Sequence, residues 1–230
     1  MRIYLSVFAI YFVFNFAALA AGHGDWFHSN GNYKAEKYSA LTSINQSNLP
    51  QLKQVWIYNS GHITKTKNTV QTTPVFTGRS LITTSLDGNV IAIDPILGKE
   101  KWRVKLPKPV GRRGIVFKKL KNPTLFISTG KGVYAINENT GKVDPSIGLN
   151  GKFGTGLSLL PPIVTDDSII ISTNWFGVKS FDIQTGKQKW NTLFKSGNII
   201  PRTWSGLSYD PETGAMFVVK SNPGRIVGVN

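Results

Sequence analysis

A chain of 230 residues with 40% hydrophobic content, 23 glycines, 12 prolines and 6 tryptophans can bury a sizeable core and has the turn-rich make-up of an all-β protein. The absence of cysteine excludes disulfides, thiolate metal sites and a CxxCH haem attachment within it. The formal charge of +15 raises nucleic acid as a partner, but only Arg112-Arg113 and Lys118-Lys119-Lys121 are clustered, so the charge reads as a generally basic surface and no nucleic-acid partner is expected.

Residues 1–21 join Arg2 to an apolar run from Ile3 to Leu19 and a small-residue exit, Ala18-Leu19-Ala20-Ala21, which is the layout of a secretory signal peptide. An uncleaved anchor helix is the other reading of this run, and no other segment could cross a membrane. Residues 22–70 form a leader. Within it Leu49–Tyr58 is predicted to turn into a closing strand, with Val55 and Ile57 on one face and Trp56 and Tyr58 on the other.

From residue 71 to 230 the chain repeats. Leu81–Trp102 reads as a strand, an Asp87-Gly88-Asn89 turn, a second strand, a turn ending in Gly98-Lys99 and a third strand carrying Trp102. Parts of the pattern return in Leu125–Pro145 and Ile169–Trp190, and the corner glycines Gly98, Gly141 and Gly186 lie 43 and then 45 residues apart. A sheet unit at that period predicts a β-propeller of four-stranded antiparallel blades. The first blade is expected from Gln71 to Leu106. The second should have an inner strand at Gly114–Leu120 and later strands at Leu125–Ile127 and Gly132–Ile136. The third is expected from Pro161 to Phe194, and the fourth begins at Gly206–Tyr209 and continues through Ala215–Lys220. About three and a half blades cannot close a ring and would leave long sheet edges open, so the chain is expected to be the N-terminal part of a larger protein. Completion of the ring by oligomerisation is the alternative.

The corner Ala92-x-Asp94-x-x-x-Gly98-Lys99-x-x-Trp102 resembles the tryptophan-docking repeat of the pyrroloquinoline quinone (PQQ) dehydrogenases. The third blade keeps Asp182, Gly186, Lys187 and Trp190, with Ser180 in place of Ala. The second keeps Ala135, Gly141 and Lys142, with Asn137 for Asp and Pro145 for Trp. The leader, with Asp25-Trp26, Tyr38–Asn45, Asn48-Leu49 and Trp56–Tyr58, is similar to the one that precedes the first blade of quinoprotein alcohol and sugar dehydrogenases. The resemblance covers residues 25–230 and implies a propeller of about eight blades with PQQ flat near its axis.

Four residues take roles from this resemblance. Gln71 matches a Glu or Gln that hydrogen-bonds the quinone, for which an amide offers both donor and acceptor; an ordinary polar residue at a strand start is the alternative. Arg113, before Gly114, matches an Arg that meets a cofactor carboxylate, where a fork-shaped cation is the natural partner; otherwise it is one more surface arginine. Trp204 matches the aromatic floor of the cofactor site, or else a core aromatic. Asn222, 18 residues later, matches a calcium-ligating Asn, or a turn residue before Pro223.

Two departures qualify the match. The third-blade loop Ser172–Gly177 has no carboxylate to bind calcium, and the adjacent-cysteine ring of many members is impossible. Both point to the sugar or polyol dehydrogenase-like branch. The family's catalytic Asp would lie beyond Asn230, so this chain alone is expected to be inactive. The reading is therefore a periplasmic PQQ-dependent dehydrogenase that oxidises an alcohol, polyol or sugar, with Ca²⁺ as second cofactor and a quinone or cytochrome c as electron acceptor. The alternative is a non-catalytic propeller of the outer-membrane assembly type. His23, His28 and His62 do not suggest a zinc site or a triad, and no Gly-rich loop joins a strand to a helix for nucleotide binding.

Overall fold

Each predicted corner is a turn closed by its own side chain. Asp94 Oδ1 accepts the backbone N–H groups of Ile96 and Leu97 at 2.9 and 2.8 Å, and Asp182 Oδ1 accepts those of Gln184 and Thr185 at 3.1 and 2.7 Å. Asn137 does the same for Asn139 and Thr140, so the neutral amide preserves the turn. Gly98, Gly141 and Gly186 follow at φ 66°, 69° and 70°, the left-handed region that a side chain disfavours, and each donates its N–H to the carbonyl four residues back at 2.9 Å.

The computed structural model describes residues 26–61, 71–107, 109–154, 156, 158, 160–173, 177–193, 206–221 and 224–229. The signal-peptide reading of residues 1–21 falls outside them. Four antiparallel sheets follow one another along the chain. The first joins β1 (Val75–Phe76), β2 (Leu81–Thr84), β3 (Asn89–Ile93) and β4 (Glu100–Lys105) in chain order. The second joins β5 (Val110–Lys119), β6 (Pro123–Thr129), β7 (Gly132–Asn137) and β8 (Lys152–Phe153). The third joins β9 (Ile163–Val164), β10 (Ser168–Thr173), β11 (Gly177–Asp182) and β12 (Gln188–Thr192), and the last joins β13 (Ser208–Tyr209), β14 (Met216–Ser221) and β15 (Gly224–Val229). These are the expected blades, with a third strand in the fourth sheet that the sequence reading did not assign.

The core lies between the sheets. Ile82, Val90, Ala92, Ile115, Leu125 and Ile127 fill the space between the first and second. Phe126, Val133, Phe153, Ile169, Ile171 and Phe181 fill that between the second and third. Ile163, Ile170, Val178, Met216 and Val218 join the third to the fourth. Alternation along the strands makes this possible, since successive side chains of β6 enter opposite clusters and Leu125, Phe126 and Ile127 are all fully buried.

Docking tryptophans pin the leader to the first sheet and the first sheet to the second. Trp102 Nε1 donates to Glu138 O at 2.7 Å, and its ring lies so close over Gly141 that a Cβ there would approach it to 2.7 Å. Trp56 of the leader does the same one sheet earlier, donating to Pro95 O at 3.1 Å and covering Gly98. Between the second and third sheets, where Pro145 replaces the tryptophan, backbone takes over: Gly148 N–H donates to Ile183 O at 3.0 Å, and Leu149 lies against Gly186. All three acceptors are the carbonyl of the residue after the corner Asp or Asn.

The leader corrects one expectation. Leu49–Gln51 is a 3₁₀ turn and Leu52–Ser60 joins no sheet, because no described strand lies alongside to pair with it. The faces are nonetheless as read: Val55 and Ile57 point away, and Trp56 and Tyr58 pack on the first sheet, where Arg103 donates to Tyr58 Oη at 2.8 Å.

Candidate functional site

The inner strands β1, β5, β9 and β13 are crossed by Trp26–Tyr33, and this crossing shapes the site. Trp26 O accepts Phe76 N–H at 2.9 Å on the first sheet, and Phe27 O accepts Phe117 N–H at 2.8 Å on the second. On the third, Tyr33 Oη both donates to Val164 O at 3.0 Å and accepts Val164 N–H at 3.1 Å. On the fourth, Tyr33 O accepts Tyr209 N–H at 3.1 Å. Burial pushes the Tyr33 phenol far above its ordinary range, so it stays protonated and can donate. His28, 2% exposed, sits against the Tyr33 ring, and its Nδ1 accepts Asn30 N–H at 3.1 Å. Desolvation lowers its pKa from 6.5 to about 4, so the imidazole is neutral at pH 7.

Arg113 lies in β5, in the stretch where the pairing with β6 shifts register between Val110 and Ile115. Gly114 beside it is buried where three elements meet: a Cβ would come within 2.6 Å of Ser29 Oγ and 3.0 Å of Pro161. Glycine at 114 is therefore a steric requirement, since Ser29 and Pro161 close on it, while Arg113 beside it lines a cavity. The cavity measures about 700 Å³ and is lined by Ser29, Asn30, Ala35 and Lys37 from the leader, Arg113 and Pro161, and Leu207, Ser208, Phe217 and Val219 from the fourth sheet. Among the described residues its lining has two cationic side chains, Lys37 and Arg113, and no carboxylate. Its donors and apolar walls suit a flat, polycarboxylate ring, which could place a carboxylate at Arg113 and its faces on apolar side chains.

The other sequence candidates divide. Gln71 is exposed, precedes β1 and is not part of the cavity wall. Trp204 and Asn222 lie outside the described residues, although Gly206 and Leu207 just after Trp204 do line the cavity. Of the loop Ser172–Gly177, residues 174–176 are also outside them. Among the described residues no three His, Asp or Glu side chains converge as a metal site would require, and no helix is long and apolar enough to cross a membrane. The sequence reading missed Ser29, Asn30 and Lys37, because nothing local to the leader tells which strands it will cross.

A profile described as the β-propeller domain of glucose/ethanol/alcohol dehydrogenases, the PQQ family, matches residues 26–225. The chain belongs to the PQQ β-propeller family. Quinoprotein glucose dehydrogenase A of Acinetobacter calcoaceticus is 26% identical over 83% of this chain and 30% of its own length. Subunit 1 of a methanol dehydrogenase [cytochrome c] of Methylobacterium organophilum is 28% identical over 89% of this chain and 41% of its own. The chain thus spans well under half the length of these curated relatives. Among solved structures, the quinohemoprotein alcohol dehydrogenase of Comamonas testosteroni shares the fold with a TM-score of 0.66 at 19% identity, over 89% of this chain and 39% of that one. A europium-containing methanol dehydrogenase does so with a TM-score of 0.65 at 20% identity, over 87% and 43%. The PQQ-family blades seen here are thus matched across the described sheets, with the leader included.

Proposed function

We propose that this PQQ-family chain forms the first blades of a periplasmic dehydrogenase that binds PQQ and oxidises an alcohol, polyol or sugar hydroxyl. The carrying observation is the cavity at Arg113-Gly114, whose described lining has cations and no carboxylate and includes Arg113 of β5, Pro161 ahead of β9 and Ser208 of β13. In this reading residues 1–21 export the protein, 22–70 supply the leader and closing segment, and 71–230 are the propeller part. PQQ, when bound, supplies the two-electron acceptor chemistry of its quinone. Arg113 holds one of its carboxylates with a forked, charge-assisted contact. Trp204 forms the flat floor, and Asn222 gives an amide oxygen to Ca²⁺. Leu207, Phe217 and Val219 give the ring an apolar surface to pack against. The catalytic base comes from outside these residues, and electrons leave to a quinone or a cytochrome c.

The test is a titration of the intact apoprotein with PQQ in calcium buffer, followed by dye reduction with alcohol, polyol and sugar donors. Saturable binding with donor-dependent dye reduction is the expected result, and Trp204→Ala should weaken binding sharply. Failure of the wild-type protein to bind PQQ overturns the reading in favour of a non-catalytic propeller.

A further inference from the structure

Trp190 has the place of a docking tryptophan without its contacts. In the first sheet Ile82, Ala92 and Trp102 are cross-strand neighbours in a row, and Trp102 spends its ring on Gly141 and its N–H on Glu138 O. The third sheet repeats the row as Ile170, Ser180 and Trp190. Opposite it the fourth sheet has a finished corner: Gly214, at φ 75°, donates its N–H to Asp210 O at 2.9 Å, and Asp210 Oδ1 accepts Glu212 N–H at 3.2 Å. Trp190 does not cover this corner. The tryptophan is 37% exposed, and a Cβ on Gly214 would meet no described atom within 4 Å.

Between the row and the corner is a cavity of about 380 Å³, with Ile170, Ser180 and Trp190 on one side and Tyr209, Gly214 and Met216 on the other. It shares no lining residue with the Arg113 cavity, and it reaches β12, the strand farthest from the inner strand β9 in the third sheet. Ser180, in the middle of the row, stands where the other sheets have Ala92 and Ala135. Val178, two residues earlier on β11, packs in the cluster shared with the fourth sheet, so the Ser180 side chain points to the same side. Its hydroxyl is 1% exposed and has no hydrogen-bond partner among the described residues. A desolvated hydroxyl of this kind costs free energy that a ligand hydroxyl recovers.

We infer that the cavity between the third and fourth sheets is a binding site for a neutral saccharide ring. Trp190 presents a broad indole face whose negative charge attracts the C–H face of such a ring. Ser180 and Thr192 offer hydroxyls to its hydroxyl groups. Lys189 Nζ lies 2.7 Å from Asp167 Oδ2, so the cation and the carboxylate of the lining offset each other, and a ligand without net charge fits them. The volume is within the ordinary range for a small-molecule site, roughly 300–1,000 Å³. The inference does not rest on the PQQ reading, because the two cavities are built from different residues.

The test is a calorimetric titration of the intact apoprotein with methyl α-glucoside. Sorbitol, which has the hydroxyls without the ring, serves as a second probe. Trp190→Ala removes the stacking face. Ser180→Ala removes the hydroxyl and leaves the ligand-free protein no less stable, so a loss of binding by this variant is not a loss of fold. The expected result is saturable glucoside binding at about millimolar concentration, about tenfold weaker in Ser180→Ala and lost in Trp190→Ala, with no saturation by sorbitol and no displacement by PQQ. No saturable binding by the wild type overturns the inference, since water alone then occupies the cavity. Equal affinity of wild type and Ser180→Ala overturns it too, because the glucoside is then held elsewhere. Displacement by PQQ overturns it in favour of the Arg113 cavity. Glucoside binding that persists in a protein unable to bind PQQ supports the inference while removing the cofactor reading.

Discussion

At the scale of single residues, the corner repeat is a set of close contacts that can be broken one at a time. Trp102 contributes an indole face against Gly141 and an N–H to Glu138 O. Its truncation leaves a void between two sheets and an unpaired Glu138 O, so Trp102→Ala should cost about 2–4 kcal/mol, read as a lower urea midpoint at unchanged m-value. Ser180 presents the opposite case. It occupies the position of Ala92 and Ala135, is 1% exposed, and its hydroxyl has no hydrogen-bond partner among the described residues. Since the desolvated hydroxyl gains nothing there, Ser180→Ala should raise stability by about 1 kcal/mol in the same measurement.

At the scale of elements, the leader works as two devices. Its second half lays Trp56 and Tyr58 on the first sheet, and its first half, Trp26–Tyr33, ties all four inner strands by backbone and phenol hydrogen bonds. His28 makes this strap acid-sensitive. Its folded pKa of about 4 lies below the 6.5 of an exposed histidine, so between these values the unfolded chain binds a proton that the folded chain refuses. The stability that neutral His28 gives is whole above about pH 6.5, falls as the pH drops, and is lost by about pH 4, a difference on the order of 3 kcal/mol. His28→Gln, which keeps an acceptor for Asn30 N–H, should therefore flatten the fall in unfolding midpoint between pH 7 and pH 4. An unchanged slope would mean that other groups carry the acid sensitivity.

At the scale of the whole molecule, the space offered for chemistry opens where the inner strands, the strap and the fourth sheet meet around Gly114. The two changes at Arg113 separate charge from shape. Arg113→Lys keeps the cation and loses the fork, and should weaken PQQ binding by about tenfold; Arg113→Gln loses both, and should weaken it by about a hundredfold, each measured by fluorescence titration. Similar losses from both would mean that the fork, not the charge, holds the ligand.

The fold was legible in the sequence because its signals are local. A strand alternation, an Asp or Asn that closes its own turn, a glycine forced to positive φ and a tryptophan at a fixed offset all act within a few residues, and each stood where the repeat placed it. The site was legible only in part. Arg113 could be singled out from its neighbour Gly114 and from resemblance, but the reason for that glycine, Ser29 Oγ and Pro161 pressing on it, comes from residues far away in sequence. The path of Trp26–Tyr33 across the inner strands carried no readable signal. A hydrogen bond from Tyr33 to Val164 spans 131 residues, and only packing of the sheets against one another decides which carbonyl a leader residue will meet. The sequence by itself determined the blades and their corners; the tertiary structure decided that the leader crosses the inner strands and lines the Arg113 cavity, because only packing of the sheets fixes where the leader runs.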